Sequence, residues 1–176
     1  MTQRRFTQLD SVTPAALPRR LAAMFYDGFL VLAIWLVVTV AHLAFMRFVL
    51  GYSAESVGAG NLAVATLRLL LVCSAAAFFA YCWRRGGMTL GMQAWRLRVQ
   101  TLDGSPISLF QSLVRCLTAW VSLAALGLGY WWVLFDAEKR SWPDIASGTR
   151  TVVLPKDELK KAVLAKEREK HRPGGK

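Results

Sequence analysis

Apolar residues in this chain fall into three long runs separated by charged stretches. From Leu21 to Met46, 26 residues, Asp27 is the sole formally charged side chain. That is more than the ~20 residues a helix needs to cross a bilayer. A second run, Leu62–Trp83, covers 22 residues and is broken by Arg68. Its alanines Ala76 and Ala80 have the four-residue spacing that lets membrane helices approach closely. It ends in Tyr81 and Trp83, aromatics suited to a membrane–water interface. The third run, Leu109–Phe135, contains Arg115, Gly127 and Gly129 and closes on Tyr130, Trp131 and Trp132. The pattern predicts spans over about 21–46, 62–83 and 109–135.

The intervening stretches read differently. Arg47 to Asn61 carries Glu55 and glycines Gly51, Gly58 and Gly60, a plain polar loop. After the basic stop Arg84-Arg85-Gly86-Gly87, the residues Trp95, Leu97, Val99 and Thr101 alternate with Arg96, Arg98 and Gln100. A period of two indicates a strand with one apolar face, and Asp103-Gly104 is a strong hairpin-turn signal. The expected object is a small interfacial β-hairpin with Trp95 and Leu97 inward and Arg84, Arg85, Arg96 and Arg98 facing anionic lipid phosphates. A solvated amphipathic linker is the plainer alternative. A short β-rich piece is expected at Thr149–Leu154. Lys156–Lys170 reads as a charged, solvated helix with Asp157 and Lys161 at i,i+4, and Pro173-Gly174-Gly175 as a frayed end. The fold class expected is an all-α membrane protein with two to three transmembrane helices. Its parts are a polar segment over 1–16, a membrane domain over 17–154 and a charged tail over 155–176.

Composition agrees. Of 176 residues 55% are hydrophobic, above the ~45–50% usual for a soluble domain. The net charge of +11 could indicate nucleic acid or an anionic membrane surface. The Lys and Arg residues lie almost entirely outside the apolar runs, so the charge reads as flanks of membrane spans. The cysteines Cys73, Cys82 and Cys116 all fall in apolar runs, with no CxxC pair and no nearby histidine. They are read as small apolar fillers, with no metal site, disulfide framework or cofactor expected. The first run exceeds a signal-peptide core and follows a basic segment, so it is expected to remain as a signal anchor.

Charge bias sets an orientation. Arg4, Arg5, Arg19 and Arg20 precede the first span, Arg47 is the lone basic residue of the first loop, and Arg84, Arg85, Arg96 and Arg98 occupy the second. The tail begins with Lys139, Arg140 and Arg150. Amino terminus, second loop and tail all read as cytoplasmic, in an inner membrane. Three full crossings would put the two ends on opposite sides. A re-entrant third run bent at Gly127–Gly129 would remove the conflict, whereas a 27-residue run also suits one tilted helix.

Asp27 is the most informative residue. A carboxylate inside a span costs about 2.5–3.5 kcal/mol on insertion scales and should face a bundle interior with a partner. Arg20 lies two turns earlier on the same face. Asp27 and Arg115 each lie six residues inside runs that begin on the same side, so an intramembrane Asp27–Arg115 pair is expected, with Arg20 nearby. Such a pair could be an ion- or proton-linked site or a clamp fixing helix register. Arg68 reads as a snorkelling side chain and His42 as a packed or interfacial one.

Three segments in order, RRLAAMFYDGFLV, GGMTLGMQAWRLRVQTLDGSPIS and LFDAEKRSWPDIASGTRTVV, together resemble the RDD family of small membrane proteins over roughly residues 17–154. The resemblance maps the family's arginine and two aspartates to Arg20, Asp27 and Asp144. It implies a helical inner-membrane domain, for which transport, and cation/proton antiport in some members, has been proposed. Two positions depart from the family pattern. Pro143 stands where a histidine commonly precedes the last aspartate, which removes one proton relay, and Met92 stands where a lysine often follows the Thr-x-Gly turn. Asp144 could cap the turn entering Ile145–Gly148 or approach Arg20.

No Ser/His/Asp arrangement, phosphate loop or metal-ligand spacing appears, so no enzyme is expected. The leading expectation is a transport or transport-accessory component with a polar site of Arg20, Asp27, Arg115 and Asp144. Three spans are few for a pathway, which calls for a homo-oligomer or a larger membrane partner. The alternative is a non-transport scaffold that assembles with another membrane protein.

Overall fold

The computed structural model describes residues 12–53, 56 and 60–155. A two-residue strand β1 (Thr13–Pro14) leads into α1 (Leu17–Ala44). Pro18 lies in the first turn of α1, where a missing N–H removes no helical bond. A π-helical turn, Phe45–Val49, prolongs α1. Helix α2 (Asn61–Gly86) ends at Gly87, whose left-handed φ of 71° lets its N–H bond back to the Trp83 carbonyl. Arg84 and Arg85 are thus the last turn of a helix rather than a stop beyond it. Then come α3 (Leu90–Ala94), β2 (Leu97–Thr101) and α4 (Leu109–Ala124), the last opened by a Ser108–Gln111 capping box. The chain finishes with α5 (Leu128–Trp131) running into a 3-10 turn at Trp132–Leu134, α6 (Trp142–Ser147) and β3 (Thr149–Val153).

Helices α1 with its π extension (33 residues) and α2 (26 residues) are long and apolar enough to cross a membrane. At 1.5 Å per residue even α2 reaches about 39 Å, against a hydrocarbon core of ~30 Å. The third apolar run is not one helix. It breaks after α4 and turns by 107° into the segment Leu128–Leu134. Leu126 and Gly127 both take positive φ, 54° and 80°, and at Gly127 the absence of a Cβ makes that conformation easy.

The strands show where the run goes. β3 is the centre of a three-stranded antiparallel sheet in the order β1-β3-β2, with Leu97 opposite Val153, Thr101 opposite Thr149 and Thr13 opposite Val153. β1 precedes α1, β2 follows α2, and β3 follows the bent run. One sheet therefore gathers the start of α1, the end of α2 and the exit of the third run at a single end of the molecule. The third run thus begins and ends near the sheet end of the molecule, the arrangement a re-entrant run requires.

Two expectations about β2 need correction. The strand is present, and Asp103-Gly104 does make a tight turn, with Thr101 N–H bonded to the Ser105 carbonyl at 3.0 Å. The chain then enters α4 instead of a second strand, so there is no hairpin; the partner of β2 is β3. Nor is Trp95 turned inward, since it is exposed ahead of the buried Leu97 and Val99. The charged helix expected over Lys156–Lys170 lies outside the described residues.

Polarity is inverted relative to a water-soluble core. Phe25, Phe29, Leu36 and Val40 of α1, Leu62 and Leu69 of α2, and Phe110 and Leu117 of α4 are exposed, while Arg20, Asp27, Ser112, Arg115 and Asp144 are buried. So large an apolar exterior is what a lipid-facing surface requires. Small residues let α1 and α2 meet, Ala75 and Ala80 being buried, and Trp35 Nε1 and His42 Nε2 tie α1 to carbonyls of α2 at 2.9 and 3.2 Å. Arg68 is exposed.

Candidate functional site

The turn before α6 assembles the first part of the site. Asp144 is the third residue of α6, and its Oδ2 accepts the Ser141 backbone N–H at 3.1 Å and the Ser141 hydroxyl at 3.0 Å. A carboxylate in the first turn also complements the helix dipole. The same Oδ2 lies 2.5 Å from Arg20 Nη1, and Oδ1 lies 2.7 Å from Arg115 Nη1 and 2.9 Å from Thr151 Oγ1. Both roles weighed for Asp144, cap and partner of Arg20, are therefore filled together.

Arg20 is satisfied at each nitrogen. Nε donates to the Ala15 carbonyl at 2.8 Å, Nη2 to those of Lys139 and Thr151 at 2.9 and 3.4 Å, and Nη1 also reaches Ser141 Oγ at 3.3 Å. Arg115 donates from Nη1 to Thr149 Oγ1 as well and from Nη2 to Thr151 Oγ1 at 3.3 Å, and its guanidinium lies 5.2 Å over the Trp83 ring. Arg20 and Arg115 are each 5% exposed and Asp144 is 0%. Burial alone would raise the Asp144 carboxyl, but Arg115 and Arg20 outweigh it and hold the group well below the usual carboxylate range. Asp144 stays ionised at neutral pH.

Asp27 is not part of this cluster, contrary to the expected pairing with Arg115. Among the described residues its carboxylate is held by neutral donors, the Thr89 hydroxyl at Oδ2 and the Gly91 backbone N–H at 2.9 Å from Oδ1. Thr89 is the N-cap of α3 and also accepts from Met92 N–H at 3.2 Å. Gly91 permits the approach, because a Cβ there would lie 2.4 Å from the Ala23 carbonyl and 2.8 Å from Asp27 Oδ1. The Thr-x-Gly segment is thus the socket for a membrane carboxylate, a role that opposite-charge matching could not show.

A cavity of about 410 Å³ joins the two parts, within the ~300–1,000 Å³ of small-molecule sites. Arg20, Asp27, Trp83 and Arg115 line it near the sheet, while Trp35, Ala75 and Phe79, deeper along the spans, line its apolar reach. Arg20 and Thr151 also line a smaller cavity of about 190 Å³ with Lys139 and Arg150, so Arg20 and Thr151 stand in the wall between the cavities. Among the described residues Arg115 Nε and Trp83 Nε1 are buried without a hydrogen-bond partner. Such donors typically cost about 1–3 kcal/mol each.

The other predicted surface residues lie elsewhere. Arg84 and Arg85 are exposed and Arg96 and Arg98 half-buried. Arg84 and Arg85 end α2 and Arg96 and Arg98 follow it, so all four share the sheet end of the molecule with Trp95. Arg98 Nε bonds Gln100 Oε1 at 3.1 Å.

The sequence profile of the RDD family matches residues 14–148, a stretch holding Arg20, Asp27, Arg115 and Asp144. The chain belongs to the RDD family. No curated protein and no solved structure matches it. Within this RDD chain, the arginine and second aspartate of the motif, Arg20 and Asp144, form one ion pair. The first aspartate, Asp27, occupies a separate socket on the cavity wall.

Proposed function

We propose that this RDD protein is a transport or transport-accessory component of a bacterial inner membrane, with the cavity between α1, α2 and α4 as its working part. One observation carries the reading. Asp27 is a buried carboxylate inside a span, on the cavity wall, held by a hydroxyl and an N–H rather than by a cation. Asp144 is locked between two guanidinium groups and serves as a clamp. Asp27 is the carboxylate whose charge a proton or metal cation could neutralise during a cycle. The arginines near the sheet favour a cytoplasmic placement of that end, with the amino terminus there and Arg84, Arg85, Trp95, Arg96 and Arg98 against anionic lipid. Two crossing helices cannot enclose a pathway alone, so a homo-oligomer or larger membrane partner completes it. No catalytic role is proposed.

The test is proton flux in proteoliposomes loaded with a pH-sensitive dye, started by a Na⁺ or K⁺ gradient. Wild type is expected to dissipate an imposed pH difference. Asp27→Asn is expected to be inert while purifying with unchanged yield and elution volume. No flux in either protein would remove the transport reading and favour a scaffold that assembles with another membrane protein, and equal flux in both would remove Asp27 as the working carboxylate.

A further inference from the structure

We infer that the cavity binds a single-chain amphiphile with an oxyanion head, phosphate or carboxylate, the head on Arg115 and Trp83 and the chain among the apolar walls. The inference rests on the cavity being the working site, and it names what that site takes.

Arg115 uses its guanidinium unevenly. Nη1 is committed to Asp144 and Thr149, and Nη2 gives one bond to Thr151 at 3.3 Å. Nε has no partner among the described residues. Nε and the second hydrogen of Nη2 form one edge of the fork, the edge that grips an oxyanion with two parallel bonds. Trp83, stacked beneath the same guanidinium, offers a second buried N–H without a partner. Both side chains line the cavity and both are at least nine-tenths buried.

Charge favours an anion at this place. Arg20 and Arg115 share the single carboxylate of Asp144, leaving one positive charge over. Asp27 does not cancel it by contact, since its oxygens are taken up by Thr89 and Gly91. Away from these groups the lining turns apolar, with Val31, Trp35, Ala76 and Phe79. The rim residues Leu32, Trp120 and Leu123 are 59%, 44% and 52% exposed, so the cavity opens sideways between the helices. In a bilayer that opening faces lipid, the route by which an acyl chain would enter.

The experiment is native mass spectrometry of the full-length protein in detergent micelles, titrated with three probes. These are 1-oleoyl lysophosphatidic acid, monoolein (the chain with a neutral head) and glycerol 3-phosphate (the head without the chain). One lysophosphatidic acid per chain is expected, with the other two at least tenfold weaker. Trp83→Phe keeps the ring under Arg115 and removes the N–H, and is expected to weaken binding roughly fivefold. Arg115→Lys keeps a charge for Asp144 and lacks the fork, and is expected to weaken it by about tenfold or more. Monoolein binding as tightly as lysophosphatidic acid would overturn the head assignment, and so would an unaffected Trp83→Phe. Glycerol 3-phosphate binding as tightly would make the site one for soluble phosphates and overturn the lipid assignment. The wild-type probe comparison decides the matter even if a variant fails to fold. Amphiphile binding without cation-driven flux would sink the transport reading alone, whereas flux without amphiphile binding would sink this inference alone.

Discussion

Asp144 stands between Arg20 and Arg115, its Oδ2 2.5 Å from Nη1 of the first and its Oδ1 2.7 Å from Nη1 of the second. The three residues come from the start of α1, the inner face of α4 and the first turn of α6. One carboxylate thus ties the bent third run and the turn that follows it to the start of α1. Removing one member of a buried ion pair leaves uncompensated charge and typically costs about 3–5 kcal/mol. Asp144→Asn keeps the shape and removes the charge, so a loss of that size is expected in denaturant unfolding of detergent-solubilised protein. A loss under about 1 kcal/mol would mean the two arginines are solvated and the clamp is not formed.

The pH dependence of that clamp has a definite sign. The folded-state carboxyl of Asp144 is held well below its ordinary value. Its stabilisation is therefore fully present above the unfolded pKa of ~3.9 and disappears as pH falls below that toward the folded value. The melting-temperature gap between wild type and Asp144→Asn is expected to stay constant from pH 8 to pH 5 and to narrow only below about pH 4. A gap that closes between pH 7 and pH 5 would show that Asp144 is not the ionised partner described.

Gly91 and Gly28 make a matched pair for the Asp27 socket. An added Cβ at Gly91 would meet the Ala23 carbonyl at 2.4 Å, while at Gly28 nothing lies within 4 Å. Gly91→Ala is expected to separate α3 from α1, lower thermal stability and expose Asp27 to the carboxyl reagent dicyclohexylcarbodiimide. Gly28→Ala lies inside a helix and is expected to be neutral or mildly stabilising by helix propensity. Equal stability of the two variants would remove the socket as a close-packed contact.

Much of this fold is written in the chain's hydropathy. The two spans, the period-two strand at Leu97–Thr101 and the strand after Gly148 follow from local pattern, because each depends on residues a few positions apart. Partner choice was less legible. Depth along straight spans pointed Asp27 at Arg115, but a carboxylate can be satisfied by neutral donors at the start of a short helix, and Thr89 and Gly91 carry no charge to advertise that. Arg115 meets Asp144, 29 residues later, because the run folds back at Gly127. The glycines marked a place to bend without giving its direction. The same gap produced the mistaken hairpin, since β2 can find β3 only if the third run returns. Trp83 was legible as an interfacial aromatic, but its stacking under Arg115 depends on how α2 packs against α4.

The Arg20–Asp144–Arg115 clamp requires the third apolar run to leave the membrane on the side it entered. Single cysteines at Ser53 and Glu138, in a protein with Cys73, Cys82 and Cys116 replaced by alanine, test this through a membrane-impermeant maleimide. Ser53 follows α1 on the side away from the sheet, and Glu138 lies between the 3-10 turn at Trp132–Leu134 and α6. Labelling of Ser53→Cys in intact cells, and of Glu138→Cys only after permeabilisation, is the result predicted. If both label from outside, the run crosses fully, Asp144 and Arg20 lie on opposite sides, and the clamp described here does not exist.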